Sequence, residues 1–283
     1  MTIRIVTDST ADITQEIAAQ YNLTVVPLSV SFGEKTYLDN VNLDIETFYR
    51  KLQESKELPH TSQPAPAAFQ EAYIRLIDEG AESILSVHLS ARLSGTYQSA
   101  CTARDTLPEQ YRHIPIEIVD STTVSAGIFM ALQQATKEIQ QGFDLATIKA
   151  HFIDQCSRTR VLAILDTLEY LHKGGRIGGA KALLGNMLSV KPILALKDGE
   201  VAPVEQPRTR TKAYIRASQI AMEAGQTEQI VIVESNEEVG AQLYDVLKKY
   251  YPHDIPRYKL GSTLGSHTGP GTVGIVFVIK NPA

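Results

Sequence analysis

Residues 89–100, LSARLSGTYQSA, hold the hydroxyl groups and the glycine that are best placed for chemistry. They follow an apolar run, 83–89, that predicts a buried strand, and they lead into 97–104, which has helical spacing and good helix formers. Residues 94–96 therefore form a predicted strand-to-helix turn. Free N–H groups at a helix start carry partial positive charge, and a glycine lets a phosphate or carboxylate approach closely. The turn predicts an anion site, with a simple helix cap by Ser94 as the alternative.

A second candidate is the histidine in the glycine-rich stretch 265–271, GSHTGPG. Backbone with this much glycine adopts unusual dihedral angles or permits close approach. The imidazole of His267 can donate, accept or change its charge near neutral pH, and hydroxyl groups flank it. The stretch therefore predicts a ligand contact, with a surface turn carrying a solvated histidine as the alternative.

An arginine and a threonine complete the candidate set. Arg176 lies between the glycine pairs 174–175 and 178–179, and a guanidinium can clamp a carboxylate or a phosphate with two hydrogen bonds. It could instead cap helix carbonyls or pair with a surface carboxylate. Thr61 and Ser62 precede two prolines that keep the backbone extended, which presents their hydroxyls to a ligand or forms a local turn.

The charge balance bears on possible partners. The chain has 32 acidic and 27 basic residues, a formal net charge of −5, and no dense Lys/Arg tract. This argues against nucleic acid or an anionic membrane surface as a partner. The short cluster RTRTK at 208–212 predicts a solvated helix start, with a partner-docking face as the alternative.

Motifs for metals and common cofactors do not occur in the sequence. The seven histidines form no H-x-x-x-H or H-E-x-x-H pattern, and the two cysteines, Cys101 and Cys156, have no C-x-x-C spacing. Neither a G-x-G-x-x-G after a strand nor a P-loop is found, so no metal and no cofactor are expected. Without a signal pattern or a run of about 18 apolar residues, we expect a soluble, cytoplasmic protein with no integral membrane segment.

In the first half of the chain, predicted strands alternate with predicted helices, a pattern typical of a mostly parallel sheet with flanking helices. Several of these strands end in Ser, Thr or Asp, which predicts a ligand crevice at their carboxyl ends. The predicted strands are 3–7, 24–32, 83–89 and 116–119, and the predicted helices are 17–21, 45–54, 67–78, 97–104, 124–140 and 144–156.

The second half predicts a mixed α+β unit. The Asp-Gly pair in KDGE, 197–200, is a strong hairpin signal, and 265–271 predicts a loop between the last two strands. The chain therefore predicts a two-domain α/β fold whose domains, 1–158 and 159–283, pack tightly. The predicted strands are 161–165, 190–196, 201–206, 230–234, 255–260 and 274–280, and the predicted helices are 167–172, 180–186, 212–224 and 237–250.

Six short stretches, taken in order, resemble the bacterial DegV family of fatty-acid-binding proteins over nearly the whole chain. Any one of them is a weak signal, but the ordered set is specific. The stretches are DSTAD at 8–12, TSQP at 61–64, LSGTYQSA at 93–100, GGRI at 174–177, KP at 191–192 and GSHTGPG at 265–271.

The resemblance implies a DegV-like fold in which the N-terminal α/β domain, 1–158, binds lipid and the C-terminal α+β domain, 159–283, completes a head-group site. It implies that an acyl chain is held in an apolar tunnel of the first half and that its carboxylate is presented to a separate fatty acid kinase for acyl-phosphate formation. The implied ligand-binding residues are Thr61, Ser94, Gly95, Thr96, Arg176, His267 and Thr268.

The first functional hypothesis is thus a non-enzymatic carrier of a long-chain fatty acid. Ser94 and Thr61 would bind the carboxylate, while Arg176 and a His267 that titrates near its usual pKa of about 6.5 would balance the charge. Burying about 14 methylenes at about 0.8 kcal/mol each gives an upper bound near 11 kcal/mol. A charge-assisted hydrogen bond contributes only about 1.5 to 3 kcal/mol. The tail should therefore set the affinity and the head group the orientation.

The alternative hypothesis is a serine hydrolase or acyltransferase with Ser94 as nucleophile and His267 as base. Such a site needs a third group that orients the histidine. Ser94 also lies outside a G-x-S-x-G elbow. The geometry around these two side chains is therefore the discriminating observation.

Overall fold

The computed structural model describes residues 2–281, apart from the side chains of 184–189. In chain order, the first half contains β1 (Ile3–Asp8), α1 (Gln15–Gln20), β2 (Leu23–Val26), β3 (Ser29–Phe32), β4 (Lys35–Leu38), α2 (Ile45–Glu54), β5 (His60–Ser62), α3 (Pro66–Asp78), β6 (Ser83–His88), α4 (Thr96–Asp105), β7 (Ile116–Asp120), α5 (Ala126–Gln140) and α6 (Leu145–Arg158). The second half contains β8 (Thr159–Ile164), α7 (Glu169–Lys173), a 3-10 segment (Gly178–Ser189), β9 (Ile193–Lys197), β10 (Glu200–Glu205), α8 (Arg210–Glu223), β11 (Thr227–Glu234), α9 (Glu237–Leu247), β12 (Arg257–Lys259), α10 (Ser262–Thr268) and β13 (Val273–Ile279).

A four-stranded parallel sheet in the order β2-β1-β6-β7 forms the centre of the first half. Every residue of β6 is buried, as expected for a parallel strand that helices cover on both faces. One apolar cluster joins the sheet to α1, α5 and α6, and a second joins it to α3 and α4. The predicted parallel sheet with flanking helices is confirmed.

The second half is built on a six-stranded mixed sheet in the order β10-β9-β8-β13-β11-β12. Helices α8 and α9 pack on one face, and α5 of the first half packs on the other. The predicted hairpin is present between β9 and β10, where Asp198 and Gly199 have φ values of 52° and 79°. Two successive positive φ angles are typical of the tight turns that join antiparallel strands. The mixed α+β architecture is confirmed.

The single strand predicted at 24–32 is wrong, because the chain changes sheets within it. β2 belongs to the parallel sheet, whereas β3 belongs to a small antiparallel sheet in the order β4-β3-β5. Pro27 stands between them and has no N–H group to continue a ladder, and the N–H of Leu28 donates to Ser9 Oγ at 3.1 Å. The small sheet positions Thr61, which pairs with Val30.

The loop predicted at 265–271 is also wrong in its first half, because residues through Thr268 belong to helix α10. The helix packs so closely on α2 that a Cβ at position 265 would lie 2.7 Å from the Phe48 ring. Gly265 thus serves close packing within a helix, while Gly269, at φ 80°, ends the helix. His267 is therefore held on a helix instead of a flexible turn.

The two halves meet at 158–159, where α6 ends and β8 begins without an intervening linker. The division into domains 1–158 and 159–283 stays a prediction. Side chains of the first half bond to backbone of the second, as in Ser90 Oγ to Gly199 O at 2.7 Å and Tyr49 Oη to Leu260 O at 3.3 Å. Among the described helices, none has the length and apolar character needed to cross a membrane.

Candidate functional site

A cavity lies between the parallel sheet and the mixed sheet and contains about 850 Å³ of empty space, part of it open to solvent. Most of its described lining is apolar. The polar lining residues are Thr61, Gln63, Ser94, Arg176, Thr263, His267 and Thr268.

The apolar wall comes mainly from the second half of the chain. Four apolar lining residues belong to residues 1–158 and nine to residues 159–283. The core of this wall is one face of β8, β9 and β10, where Ala163 pairs with Leu194 and Leu196 pairs with Val201. The mixed sheet thus supplies the floor of this cavity, and the acyl tunnel predicted in the first half stays a prediction.

Two of the polar lining residues, His267 and Thr268, lie on the last turn of α10. Thr272 Oγ1 donates a hydrogen bond to the carbonyl oxygen of Thr268, the last residue of α10, at 3.0 Å. The next residue, Val273, begins β13 and pairs with Ile164 at the end of β8. These contacts place the C-terminal turn of α10 beside the carboxyl end of β8. His267 and Thr268 are therefore at this end, which is called the polar end below.

Thr61 and His267 are brought together from opposite halves of the chain. Thr61 Oγ1 lies 2.7 Å from His267 Nε2. The other ring nitrogen, Nδ1, is buried without a hydrogen-bond partner among the described atoms. It lies against Gly174, where a Cβ would come within 2.5 Å of it, so the glycine pair before Arg176 gives the imidazole its space.

The pKa of His267 is lowered to about 4, chiefly by burial and secondly by the charge of Arg176. The imidazole is therefore neutral at pH 7 in the ligand-free protein. The prediction that His267 titrates near pH 6.5 is wrong for this state, because desolvation disfavours the cationic ring. The positive charge of the site rests on Arg176.

Arg176 is half-buried at the polar end and uses two of its donors on backbone carbonyls. Nη1 donates to Gly174 O at 2.7 Å and Nε donates to Leu93 O at 3.3 Å. Within the part of the chain that the structure describes, no carboxylate forms an ion pair with it. A guanidinium has five N–H donors, so Arg176 retains donors and an uncompensated charge.

Ser94 reaches the cavity, while Gly95 and Thr96 lie behind it. Ser94 Oγ is 2.9 Å from Thr96 Oγ1 and also accepts from Thr96 N at 3.3 Å. Thr96 is fully buried, and a Cβ at Gly95 would lie 2.6 Å from Gln63 Nε2. Gly95 and Thr96 are not among the described lining residues of this cavity, and the direct ligand contact predicted for them stays a prediction.

Two further polar residues line the cavity and were not among the predicted site residues. Gln63 lies two positions after Thr61 in an extended segment, so period-two alternation would place both on one face. Thr263 was missed because the loop assigned to 265–271 concealed the helix that carries it. Thr268, which was predicted, lines the cavity and donates its hydroxyl to Leu264 O at 3.1 Å.

Two buried carboxylates of the first half hold the start of α10. Asp39 accepts hydrogen bonds from Ser262 Oγ and, at 2.6 Å, from Thr263 Oγ1. Asp12 accepts from Gly261 N at 3.0 Å. Burial raises the pKa of both carboxyl groups. The helix that carries His267 is thus held by Asp12 and Asp39, two carboxyl groups whose ionised form is disfavoured by burial.

The arrangement gives the serine enzyme hypothesis no support. The described hydrogen bonds pair Ser94 Oγ with Thr96 and His267 Nε2 with Thr61, and none joins Ser94 to His267. No carboxylate in the described residues orients Nδ1 of the imidazole. Likewise, no cluster of three or more His, Cys, Asp or Glu side chains is placed to hold a metal across residues 2–281.

The fold and the site define an α/β protein with two large sheets, a small third sheet, and an apolar cavity whose described lining contains one arginine. A family model described as "Uncharacterised protein, DegV family" matches residues 2–280, and the chain belongs to the DegV family. A DegV domain-containing protein of Halalkalibacterium halodurans is 36% identical, covering 98% of this chain and 99% of its own. The protein DegV of Bacillus subtilis is 32% identical, covering 99% and 100%.

Solved structures of relatives share the fold. A DegV family protein from Thermus thermophilus, described as fatty acid binding, superposes with a TM-score of 0.89 at 33% identity and covers 99% of this chain and 100% of its own. DegV from Bacillus subtilis, described as a fatty acid binding protein, superposes with a TM-score of 0.87 at 31% identity, with the same coverage. The similarity therefore extends over both halves of the chain.

Proposed function

We propose that this protein binds one long-chain fatty acid without chemical conversion, with the acyl chain in the cavity and the carboxylate at the polar end. The observation that carries the proposal is an apolar cavity in which Arg176 is the one side chain of the described lining that is charged at neutral pH. A fatty acid has the matching form, a long apolar chain with one anionic end. The fatty acid binding ascribed to the Thermus thermophilus and Bacillus subtilis relatives supports the same ligand class.

The head group would bind through one charged and several neutral donors. Arg176 supplies the charge, and Ser94 supplies a hydroxyl. In the tautomer that carries its proton on Nε2, His267 donates to Thr61 and leaves the Thr61 hydroxyl proton free for a carboxylate oxygen. A neutral His267 thus acts by orienting Thr61, and the carboxylate keeps its single charge opposite the guanidinium.

The affinity would come mainly from the tail. Each buried methylene contributes about 0.8 kcal/mol, and a charge-assisted hydrogen bond contributes about 1.5 to 3 kcal/mol. The proposal therefore predicts that affinity rises with chain length until the cavity is full. The head group fixes which end of the ligand lies beside Arg176.

A paired binding experiment tests this proposal. Delipidated protein is titrated with palmitic acid and with methyl palmitate, which has the same tail and no charge. We expect palmitic acid to bind about 10 to 100 times more tightly, because the ester loses charge-assisted hydrogen bonds worth about 1.5 to 3 kcal/mol. Equal affinities, or binding of neither compound, would refute it.

We further propose that the bound carboxylate is presented to a separate fatty acid kinase for acyl-phosphate formation. The resemblance to the DegV family motivates this step, and the half-buried position of Arg176 at the polar end suits a head group that gains charge. The test supplies a bacterial fatty acid kinase and ATP with palmitate, with and without this protein. Acyl phosphate that forms only in the presence of the protein supports the step, and rates unchanged by the protein contradict it.

A further inference from the structure

Gln63 is the one exposed residue in the described lining of the cavity, and the rest of that lining is buried or half-buried. A side chain that is exposed to solvent and also lines a cavity lies where the cavity opens. No hydrogen bond within the described residues involves the side-chain amide of Gln63. Its two N–H donors and its carbonyl oxygen are therefore available at the opening.

The amide of Gln63 packs on Gly95, just before α4. A Cβ at position 95 would lie 2.6 Å from Nε2, 3.0 Å from Cδ and 3.2 Å from Oε1 of Gln63. Because all three amide atoms are this close to one point, the face of the amide covers the glycine. The N–H groups lie in the plane of the amide and are not used up by this contact. A glycine at position 95 thus gives the amide a place beside Ser94.

Contacts of residues 93–95 connect this amide to the guanidinium of Arg176. Ser94 precedes Gly95 and lines the cavity. Leu93, one residue earlier, accepts a hydrogen bond on its carbonyl oxygen from Arg176 Nε at 3.3 Å. One short segment therefore touches Gln63 at its end and Arg176 at its start.

A second set of contacts connects the same two side chains through His267. Thr61 lies two positions before Gln63 in one extended segment, so their side chains share a face. Thr61 Oγ1 is 2.7 Å from His267 Nε2, and Nδ1 of that ring lies against Gly174. Gly174 O accepts from Arg176 Nη1 at 2.7 Å. The two sets of contacts close a ring, so the amide of Gln63 and the guanidinium lie on one rim.

We propose that Gln63 is a further head-group residue, whose amide donates a hydrogen bond to the carboxylate oxygen nearest the opening and is held there by Gly95. The inference rests on the proposed fatty acid binding. Arg176 supplies the charge of the site, and the amide adds a donor without adding a second charge. Gln63 would therefore contribute to the choice of an anionic head group over an uncharged one.

The first test replaces the amide and compares two ligands on delipidated protein at pH 7.5. Gln63→Ala should weaken palmitate binding about 10 times, because a donor to a charged oxygen is lost, and should affect methyl palmitate less. Gln63→Glu should weaken palmitate binding about 100 times, because the donor is replaced by a like charge. Methyl palmitate, which has no charge to repel, should not show this further loss.

Ser62→Glu is the matched control for the added charge. Ser62 is exposed and is not in the described lining, and alternation places its side chain on the opposite face of the segment from Gln63. An exposed charge there is screened by solvent, so palmitate affinity should change by no more than about threefold. Equal losses in Gln63→Glu and Ser62→Glu would refute a direct contact of Gln63 with the head group.

The second test asks whether Gly95 acts through Gln63. Gly95→Ala keeps the amide but displaces it, since the new Cβ would lie 2.6 Å from Nε2, and should weaken palmitate binding about as much as Gln63→Ala. In the double variant the second substitution should cost nothing further, because the amide is already absent. Losses that simply multiply would show that Gly95 does not hold the amide in place and would refute that part of the proposal.

The outcomes separate this inference from the function on which it rests. If the wild-type protein binds neither ligand, or binds both equally, the proposed function fails and the role of Gln63 fails with it. If the wild-type protein prefers palmitate and Gln63→Ala retains the same preference, fatty acid binding stands and the role of Gln63 alone is refuted. A reduced preference in both Gln63→Ala and Gly95→Ala supports it even if Gln63→Glu folds poorly.

Discussion

At the scale of single residues, the central feature is a guanidinium with no carboxylate partner in the described structure. Arg176 lies at the end of an apolar cavity, held by carbonyl oxygens of Gly174 and Leu93. Carbonyls orient the side chain without cancelling its charge. A cation placed in this way at an apolar cavity is typical of a site for an anionic group.

We predict that Arg176→Ala weakens palmitate binding by about 10 to 100 times, because one charge-assisted interaction is worth about 1.5 to 3 kcal/mol. Methyl palmitate is the control ligand, and its affinity should be unchanged. Acyl-phosphate formation with a supplied kinase should fall further than palmitate binding, since a phosphate has more acceptor oxygens for a planar guanidinium. Isothermal titration and a coupled kinase assay measure the two effects, and equal losses would contradict the second expectation.

His267 provides a prediction about pH. Its folded pKa of about 4 lies below the value of about 6.5 expected in the unfolded chain. As the pH falls from 6.5 to 4, the unfolded chain binds a proton on His267 before the folded protein does. The free energy of unfolding therefore has its full value above pH 6.5 and decreases by up to about 3 kcal/mol over this range. We therefore expect the wild type to lose more unfolding free energy than His267→Gln over this range, as measured by urea denaturation.

Comparison with His267→Gln at each pH removes other contributions. The raised pKa values of Asp12 and Asp39 act with the opposite sign, because their stabilisation is present at low pH and is lost as the pH rises through the folded pKa. Both proteins contain these acids, so the difference isolates the imidazole. A difference that stays constant between pH 7.5 and 4 would show that His267 is not desolvated.

At the scale of elements, α10 links the first half of the chain to the site. It carries Thr263, His267 and Thr268 into the cavity, and Asp39 holds its first turn. Asp39 directly follows β4, so its hydrogen bonds connect the small sheet to the first turn of α10. The position of His267 therefore depends on a carboxylate of the first half.

We predict that Asp39→Ala lowers the unfolding free energy by about 1 to 3 kcal/mol, because the buried hydroxyls of Ser262 and Thr263 lose their hydrogen-bond acceptor. The same substitution should also weaken palmitate binding. Asp39→Asn should do less harm, since an amide oxygen still accepts a hydrogen bond and no charge is buried. Asp144→Ala is the control, because Asp144 caps α6 away from the cavity, through Thr147 N at 2.8 Å. It should cost about 1 kcal/mol of stability and leave binding intact. Equal effects of Asp39→Ala and Asp144→Ala on palmitate affinity would contradict the role of Asp39 in positioning α10.

The elements also show what could be predicted from the sequence. Period, caps and turn residues located the parallel strands and the hairpin at Asp198 and Gly199, because those signals are local. The break at Pro27 and the helix at Gly265 depend on which sheet a strand joins and how closely α10 approaches Phe48. Such tertiary contacts leave no periodic signal. The glycine at 265 was therefore assigned to a loop.

The same limit applies to the site. Thr61, Ser94, Arg176, His267 and Thr268 were predicted and do line the cavity, because the strand-to-helix turn, the glycine-rich stretches and the resemblance to the DegV family marked them. The contribution of β8 to β10 to the cavity lining was not predicted, since the leucines and valines of these strands are like those of any core strand in sequence. The neutrality of His267 followed only from its burial beside Arg176.

At the scale of the whole molecule, both halves of the chain supply lining residues to the cavity. Thr61 contacts His267 across the interface, and Ser90 contacts Gly199. A ligand in this cavity would stabilise both halves together. We predict that palmitate raises the melting temperature in a single calorimetric transition, because a ligand that binds only the native state stabilises every part it couples. Two transitions of which only one shifts would contradict a shared interface.

The most direct test of fatty acid binding is to identify what the cavity holds after purification. Protein produced in bacteria is denatured, extracted and analysed by mass spectrometry, with the Arg176→Ala variant prepared in parallel. The account predicts close to one long-chain fatty acid per wild-type chain and a clearly lower occupancy in the variant. Wild-type protein that carries no fatty acid, and that binds none after delipidation, would contradict it.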